Sequence, residues 1–202
     1  MLPSKYAAVI FDLDGTLVTL PVDWEAVRRE LIEYFKTEDA FLPLFKTIDT
    51  RTTQKPEARS RVFSLIDNYE VAAAKESKLL VGVLDIFNHL FGKAKLALVT
   101  MQGRRVCSQL LGMYGLSRFL ELSLTREDSL DRSVQLETVI NRLVTEPRDS
   151  LLVGDRMNDV NSAKQVGVPV ALVSRKKVKG VAPDLQFKTL VALRDYLSGN
   201  RK

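Results

Sequence analysis

The 202-residue chain is long enough to bury the core of one good-sized domain, or of one domain with a small insertion. Hydrophobic residues make up 46% and charged residues 27%, as in ordinary globular proteins, and the net charge of +5 favours anionic over cationic ligands. One cysteine and one histidine exclude an intrachain disulfide, a cysteine-rich metal site and a multi-histidine zinc site.

The chain shows no sign of a membrane or nucleic-acid partner. No segment has the regions of a signal peptide, and no apolar run approaches the roughly 18 residues of a membrane span, so we expect a soluble, cytoplasmic protein. The positive charge is spread along the chain except for one run, Arg175, Lys176, Lys177 and Lys179. Because no aromatic residues are interleaved with it, this run indicates a solvated loop.

Five short apolar runs, each ending in polar or small residues, are typical of strands buried on both faces of a parallel sheet. They cover residues 7–11, 96–99, 119–124, 151–153 and 170–173. Helical patterns occupy residues 104–114, 133–144, 158–166 and 189–197. Alternation of strands and helices over this length predicts an α/β fold with a doubly wound, Rossmann-like and mostly parallel sheet.

The alternation is interrupted from about residue 19 to residue 78, where we predict helices and no strand. Asp23 can cap a first helix, and Pro56 suits the first turn of a second, with a polar loop predicted over residues 46–60. The segment is either an elaboration packed on the sheet or a small cap over the strand tips. The position favours the cap. The predicted division is a helical cap domain, 19–79, and a core domain, 1–18 with 80–202.

The first strand ends in two aspartates, Asp12 and Asp14, within FDLDGT. A calcium loop would not place Gly15 directly after the second aspartate, and the phosphate-binding P-loop and dinucleotide fingerprints are absent. A second acidic group, Asp155 and Asp159 in GDRMND, follows another predicted strand. A parallel sheet would bring both groups to one edge, where the carboxylates would bind a hard cation, most naturally Mg²⁺.

These two motifs, in this order, resemble the haloacid dehalogenase superfamily in its phosphatase branch, and the resemblance covers essentially the whole chain. By general similarity, phosphoglycolate-phosphatase-like proteins share the layout of a core with a helical cap. The resemblance implies that Asp12 is a nucleophile forming an aspartyl-phosphate, and that Asp14 is a general acid and then a general base. It further implies that Mg²⁺ is held by Asp12, the main-chain carbonyl of Asp14, Asp155, and Asp159 directly or through water. Asp159 could instead brace the helix that follows it.

The middle motifs of that family are matched less closely in this sequence. Thr100, in ALVTM, matches the hydroxyl residue that hydrogen-bonds the phosphoryl group, whereas Met101 replaces a frequent asparagine and could offer only its main chain. The basic residue of the family is commonly a lysine before proline, which is missing in the expected interval. Arg132 is our first choice for that role and Arg126 our second, each of which could also be a surface arginine.

The sequence therefore predicts a Mg²⁺-dependent phosphomonoesterase that acts on a small phosphorylated metabolite. Three alternatives stay open: a nucleotidase, a phosphosugar mutase, and a non-catalytic protein that binds phosphate and Mg²⁺ for regulation. The sequence identifies neither the substrate nor the oligomeric state.

Overall fold

The computed structural model describes residues 5–174 and 180–199, so the basic run at 175–179 lies outside the described residues. Six strands form a parallel sheet in the order β5-β4-β1-β6-β7-β8, and β2 and β3 form a separate antiparallel pair. The strands are β1 Ala8–Phe11, β2 Val18–Thr19, β3 Lys78–Leu79, β4 Lys95–Val99, β5 Leu122–Leu124, β6 Ser150–Gly154, β7 Val170–Val173 and β8 Leu185–Phe187.

Helices cover both faces of this sheet. They are α1 Trp24–Phe35, α2 Leu44–Thr52, α3 Pro56–Ala74, α4 Val83–Leu90, α5 Arg104–Met113, α6 Arg132–Leu143, α7 Met157–Val166 and α8 Leu190–Leu197. Val9 and Phe11 of β1 pack with α4, α5 and α8, whereas Ala8 and Ile10 pack with α6 and α7. Alternate residues of one strand point to opposite faces, so a strand buried on both sides is apolar throughout. The predicted α/β fold is confirmed.

The central strands and helices lie where the apolar patterns predict them, and the differences are local. The strand predicted to begin at residue 119 begins at Leu122, because Ser117–Phe119 forms a 3-10 turn. The edge strand β8, with only three residues, was not predicted. Helix α6 departs from a simple apolar pattern at Val134, which is exposed, whereas Leu136 is buried.

The chain first passes from β1 to β4 and β5 on one side, and then returns to place β6 against the other side of β1. The winding direction therefore reverses between β1 and β6. Ligands of open α/β sheets bind beyond the carboxyl ends of the strands at such a reversal. Asp12 follows β1 and Asp155 follows β6, so both acidic motifs lie at this position.

Helices α1 to α3 lie between β2 and β3 and share an apolar cluster of their own. Asp23 caps α1 by accepting a hydrogen bond from the Ala26 N–H at 2.9 Å, as the sequence predicts. The polar loop predicted over residues 46–60 was wrong in part, because residues 46–52 belong to α2. Leu44 and Ile48, four residues apart, are buried in the cluster, which explains why this polar segment is helical. The proposed domain boundaries at residues 19 and 79 stay a prediction.

An ionic cluster joins α3 to the core, and we call its three members, Arg126, Glu70 and Asp67, the α3–core cluster. Arg126 is fully buried, and its Nη1 donates to Glu70 Oε1 at 2.8 Å, while Nη2 pairs with Asp67. Glu70 Oε2 in turn accepts the N–H of Gly103 at 3.0 Å, at the start of α5. A side chain at Gly103 would overlap the Arg126 guanidinium, so the contact requires glycine.

In the described part of the chain, none of the helices combines the length and the apolar character that crossing a membrane requires.

Candidate active site

Asp12 and Asp14 extend from the carboxyl end of β1 toward the same edge as the tip of β6. The Asp12 N–H donates to Val153 O at 2.9 Å, which holds the end of β1 against β6. Gly15 has φ of +87°, a conformation that a side chain would strain, and a β-carbon there would lie 2.6 Å from Asp155 Cγ. The glycine of FDLDGT therefore permits both the turn after Asp14 and the close approach of the second acidic motif.

Arg132 is the basic residue that the fold brings to Asp12. Asp131 caps α6 by accepting the Ser133 N–H at 2.7 Å, and Arg132 is the first residue of that helix. Its Nη2 lies 2.6 Å from Asp12 Oδ1, and its Nε lies 3.6 Å from Asp159 Oδ1. Within the described residues, the buried Nε and Nη1 have no hydrogen-bond partner. The buried guanidinium of Arg132 therefore has hydrogen-bond donors available beside Asp12.

Arg126, the second choice for the phosphate-neutralising role, has its guanidinium in the α3–core cluster. Its Nη1 also donates to Met101 O at 3.3 Å, and its Nη2 to Phe63 O at 3.4 Å. The structure thus brings Arg132, and not Arg126, into contact with Asp12.

Three carboxylates come together in a way that suits a metal ion. Oxygen atoms of Asp12, Asp155 and Asp159 lie within 4.8 Å of one another. Asp155 Oδ1 is buried and has no hydrogen-bond partner among the described residues, as expected of an atom whose natural partner is a cation. These donors are all oxygens, the ligands of a hard divalent cation. The side chain of Asp14 lies outside this set of three.

The pKa values of the clustered carboxyls reflect burial and mutual repulsion. Burial raises the pKa of Asp12 to about 7; the Arg132 guanidinium opposes this change, and the charges of Asp159 and Asp155 add to it. Burial also raises the pKa of Asp155 to about 6, with a contribution from Asp159 and Asp14 and opposition from Arg156. A cation among these oxygens would relieve the repulsion.

Asp14 has an environment of its own. Its Oδ1 accepts the N–H of Leu20 at 3.0 Å, and its Oδ2 accepts a hydrogen bond from Arg156 Nη2 at 3.1 Å. Burial raises the pKa of this carboxyl, although the Leu20 N–H and the Arg156 charge oppose the change. A carboxyl that is easier to protonate than usual suits the exchange of a proton.

Asp159 also supports the helix that follows the second motif. Its Oδ2 accepts the N–H of Arg156 at 3.1 Å at the start of α7, and a β-carbon at Gly154 would lie 2.5 Å from its Cγ. The two readings of Asp159, metal ligand and helix brace, are thus compatible, because its other oxygen faces Arg132 and the carboxylate cluster.

Thr100 and Met101 follow β4, which pairs with β1, and so lie at the same edge as Asp12. The Thr100 side chain is buried and pairs with Gln102 through its hydroxyl, which also accepts the Gln102 N–H at 3.2 Å. Gln135 of α6 donates to the carbonyl of Thr100 at 3.0 Å and to those of Thr125 and Ser129. This amide connects the segment after β4 to the segment that leads to Arg132.

Two charged groups near the site were missed in the sequence. Arg156 directly follows Asp155 in GDRMND, so its place in the motif was an available signal. Glu70 gave no comparable signal, because it is a charged residue among the apolar residues on the buried face of α3. The residues fully covered on α3 are spaced by four and include Glu70 with Val62 and Ile66.

Comparison with known proteins finds relatives that match most of the chain. The chain is 25% identical to the pyrophosphatase PpaX of Halalkalibacterium halodurans, over 94% of the chain and 95% of that protein. It is 29% identical to a phosphoglycolate phosphatase of Cupriavidus necator, over 82% of the chain and 80% of that protein. The crystal structure of a HAD phosphatase from Thermococcus onnurineus, 24% identical, shares the fold with a TM-score of 0.64 over 96% of this chain and 99% of its own.

The family model of the haloacid dehalogenase-like hydrolases matches residues 9–173, a range that begins in β1 and ends with β7. Both acidic motifs and Arg132 fall within the match. This protein therefore belongs to the haloacid dehalogenase-like hydrolase family.

Proposed function

We propose that the protein is a Mg²⁺-dependent phosphatase that hydrolyses a small phosphorylated metabolite through a phosphoryl group carried on Asp12. The proposal is supported above all by one observation: Arg132 and Asp12 form a buried ion pair beside two further carboxylates, Asp155 and Asp159. The Nε and Nη1 of Arg132 have no hydrogen-bond partner among the described residues, so they are available to a phosphoryl group. The names of the relatives, a pyrophosphatase and a phosphoglycolate phosphatase, support hydrolysis at phosphorus.

Asp12 is the nucleophile in this proposal. A carboxylate oxygen of Asp12 forms a bond to phosphorus, and the bond from phosphorus to the leaving oxygen breaks. Asp14 gives its proton to that leaving oxygen. Arg132 favours the ionised form of Asp12 before attack, since its guanidinium lies 2.6 Å from the carboxylate.

The second half of the reaction restores the enzyme. A water molecule attacks phosphorus and passes a proton to the now ionised Asp14, and the bond between phosphorus and the Asp12 oxygen breaks. Inorganic phosphate leaves, and Asp12 is again a free carboxylate. Asp14 serves as acid and as base in turn, which its pKa, raised by burial, supports.

Mg²⁺ would be held by Asp12, Asp155 and Asp159, with the main-chain carbonyl of Asp14 as a further ligand, and would supply positive charge to the phosphoryl oxygens. The carboxylates of Asp12, Asp155 and Asp159 together carry more negative charge than the Arg132 guanidinium balances, and a divalent cation would neutralise the excess. Thr100 and the main chain of Met101 bind phosphoryl oxygens. Helices α1 to α3, within residues 19–79, form a cap that shields the site from water.

The test is a phosphate-release screen over phosphorylated metabolites, with and without Mg²⁺, and with Asp12→Asn as the blank. The proposal expects at least one substrate whose hydrolysis requires Mg²⁺ and is lost in the Asp12→Asn protein. Hydrolysis that continues unchanged in that variant would contradict the assignment of Asp12. A folded wild-type protein that releases no phosphate from any substrate would favour the non-catalytic alternative.

A further inference from the structure

We propose that Arg156 makes this site selective for substrates whose leaving group carries an anionic group of its own, a second phosphate or a carboxylate. The inference rests on the proposed function and names the chemical class of its substrate. It concerns the side of the phosphoryl group opposite to the nucleophile, for which the sequence motifs assign no binding residue.

Arg156 is held beside the proposed general acid. Its Nη2 donates to Asp14 Oδ2 at 3.1 Å, and its Nε lies 3.8 Å from Asp155 Oδ1. The main chain is fixed as well, because the Arg156 N–H donates to Asp159 Oδ2 at the start of α7. Asp14 and Asp155 therefore contact the guanidinium, and Asp159 holds the main chain of the same residue.

The two arginines of the site differ sharply in exposure. The side chain of Arg132 is 5% exposed, beside Asp12, whereas that of Arg156 is 61% exposed, beside Asp14. For Nη1 of Arg156 the structure gives no hydrogen-bond partner within residues 5–174 and 180–199. Arg132 can thus contact only a group that enters the buried part of the site, next to Asp12. Arg156 can contact a part of the substrate that lies nearer to solvent.

The position of Asp14 determines which part of a substrate Arg156 meets. A general acid must lie within about 3 Å of the oxygen that it protonates, which is the leaving oxygen. Because Arg156 contacts the same carboxylate, the group attached to that oxygen lies within reach of its guanidinium. A phosphate or carboxylate there would receive charge-assisted, two-pronged hydrogen bonds. An uncharged alcohol or phenol would receive none.

A purely orienting role for Arg156 makes a different prediction. If the guanidinium only holds Asp14 in place, its removal slows the hydrolysis of all substrates that need the acid, whatever their charge. If it binds the leaving group, its removal slows pyrophosphate hydrolysis more than hydrolysis of an ester with a neutral leaving group. The ratio of the two kcat/KM values separates the roles.

The experiment measures kcat/KM for pyrophosphate and for phenyl phosphate with saturating Mg²⁺, in the wild type, Arg156→Gln and Arg156→Lys. We expect the ratio of pyrophosphate to phenyl phosphate to fall at least tenfold in Arg156→Gln, and less in Arg156→Lys, which keeps the charge but not the fork. The matched control is Arg148→Gln, an exposed arginine just before the opposite end of β6. An unchanged ratio in Arg156→Gln would overturn the inference.

A binding measurement tests the same inference without turnover. Titration calorimetry compares imidodiphosphate, a pyrophosphate analogue, with orthophosphate on the wild type and Arg156→Gln. We expect the variant to lose at least tenfold in affinity for imidodiphosphate relative to orthophosphate, and equal losses for both ligands would overturn the inference. If the wild type hydrolyses nothing, the proposed function fails, and this titration still decides whether Arg156 recognises a second anionic group.

Discussion

Arg132 and Asp12 form a contact from which water is largely excluded, and the guanidinium favours the charged form of the carboxyl. The pKa of Asp12 is raised by burial, and the two neighbouring carboxylates raise it further, whereas the Arg132 guanidinium favours the ionised form of Asp12. The same guanidinium has free buried donors for a phosphoryl oxygen. At the scale of a residue, we propose that one arginine both activates the nucleophile and binds the group that it attacks.

We predict that Arg132→Ala lowers kcat/KM by about 10²- to 10³-fold, the usual cost of removing one donor that stabilises transition-state charge. The kcat/KM of Arg132→Lys should lie between the values for Arg132→Ala and the wild type. Lysine keeps the positive charge but cannot donate the two parallel hydrogen bonds of a guanidinium. Steady-state kinetics on the best substrate of the screen provide the measurement. Near wild-type activity in Arg132→Ala would show that another group neutralises the phosphate.

At the scale of an element, the contact between α3 and the core is ionic where an apolar contact would be usual. Arg126 and Glu70 have fully buried side chains, so each depends on the other for its charge to be tolerated. The cluster also binds the main chain at Met101 and Gly103, next to the residues proposed to bind phosphate. The sequence made Arg126 only the second choice for the basic residue that neutralises phosphate. The structure shows a residue on which the packing of α3 depends.

We predict that Arg126→Met lowers the free energy of unfolding by about 3–5 kcal/mol, because Glu70 is left as an uncompensated buried charge. The double variant Arg126→Met with Glu70→Leu should recover part of the loss. Chemical denaturation gives these values. Arg59→Met serves as the control, since it breaks a half-exposed pair with Asp49 and should cost no more than about 1 kcal/mol. A cost for Arg126→Met as small as that of the control would contradict this account.

The elements that the sequence predicts well are those whose burial is complete. Strands β1, β4, β6 and β7 are continuous apolar runs, and their order along the chain brings Asp12 and Asp155 to one edge. Strand β8 has only three residues, none of them fully buried, so its pattern is too short to recognise. Helix α2 was missed because tertiary packing of Leu44 and Ile48 stabilises a segment with polar composition.

The sequence also predicts part of the candidate site, namely the residues whose position follows from local secondary structure. The aspartates and Arg132 follow strands or begin a helix, so local sequence places them at the edge of the sheet. Glu70 could not be assigned because its partner, Arg126, lies 56 residues away in the chain. The contact of Arg156 with Asp14 spans 142 residues, and only the fold brings the two side chains together.

At the scale of the whole molecule, the carboxylate cluster links stability to pH and, on the proposed function, to a divalent cation. The pKa values of Asp12 and Asp155, about 7 and about 6, both lie above the ordinary value of 3.8. Folding then favours proton uptake, so these groups contribute most to stability below about pH 4, and the contribution is lost as the pH rises through 6 and 7. A divalent cation binds the ionised form and should offset that loss.

We therefore predict that the metal-free protein becomes less stable between pH 5 and pH 8, and that Mg²⁺ raises the thermal midpoint more at pH 8 than at pH 5. Thermal unfolding with and without Mg²⁺ at both pH values is the measurement. Asp155→Asn is the matched control and should show a smaller effect of Mg²⁺ at pH 8. An equal or larger effect of Mg²⁺ at pH 5 would argue against metal binding by these carboxylates.

The central claim, a phosphoryl group carried on Asp12, is tested most directly by intact-protein mass spectrometry of the Asp14→Asn protein after reaction with p-nitrophenyl phosphate and Mg²⁺. The leaving group of this substrate departs without an acid, whereas hydrolysis of the intermediate still needs Asp14 as the base. The account predicts that the mass of one phosphoryl group accumulates on the protein, that peptide mapping places it on Asp12, and that it is absent from the Asp12→Asn/Asp14→Asn protein. A phosphoryl group on another residue, or one that persists when Asp12 is replaced, would contradict it.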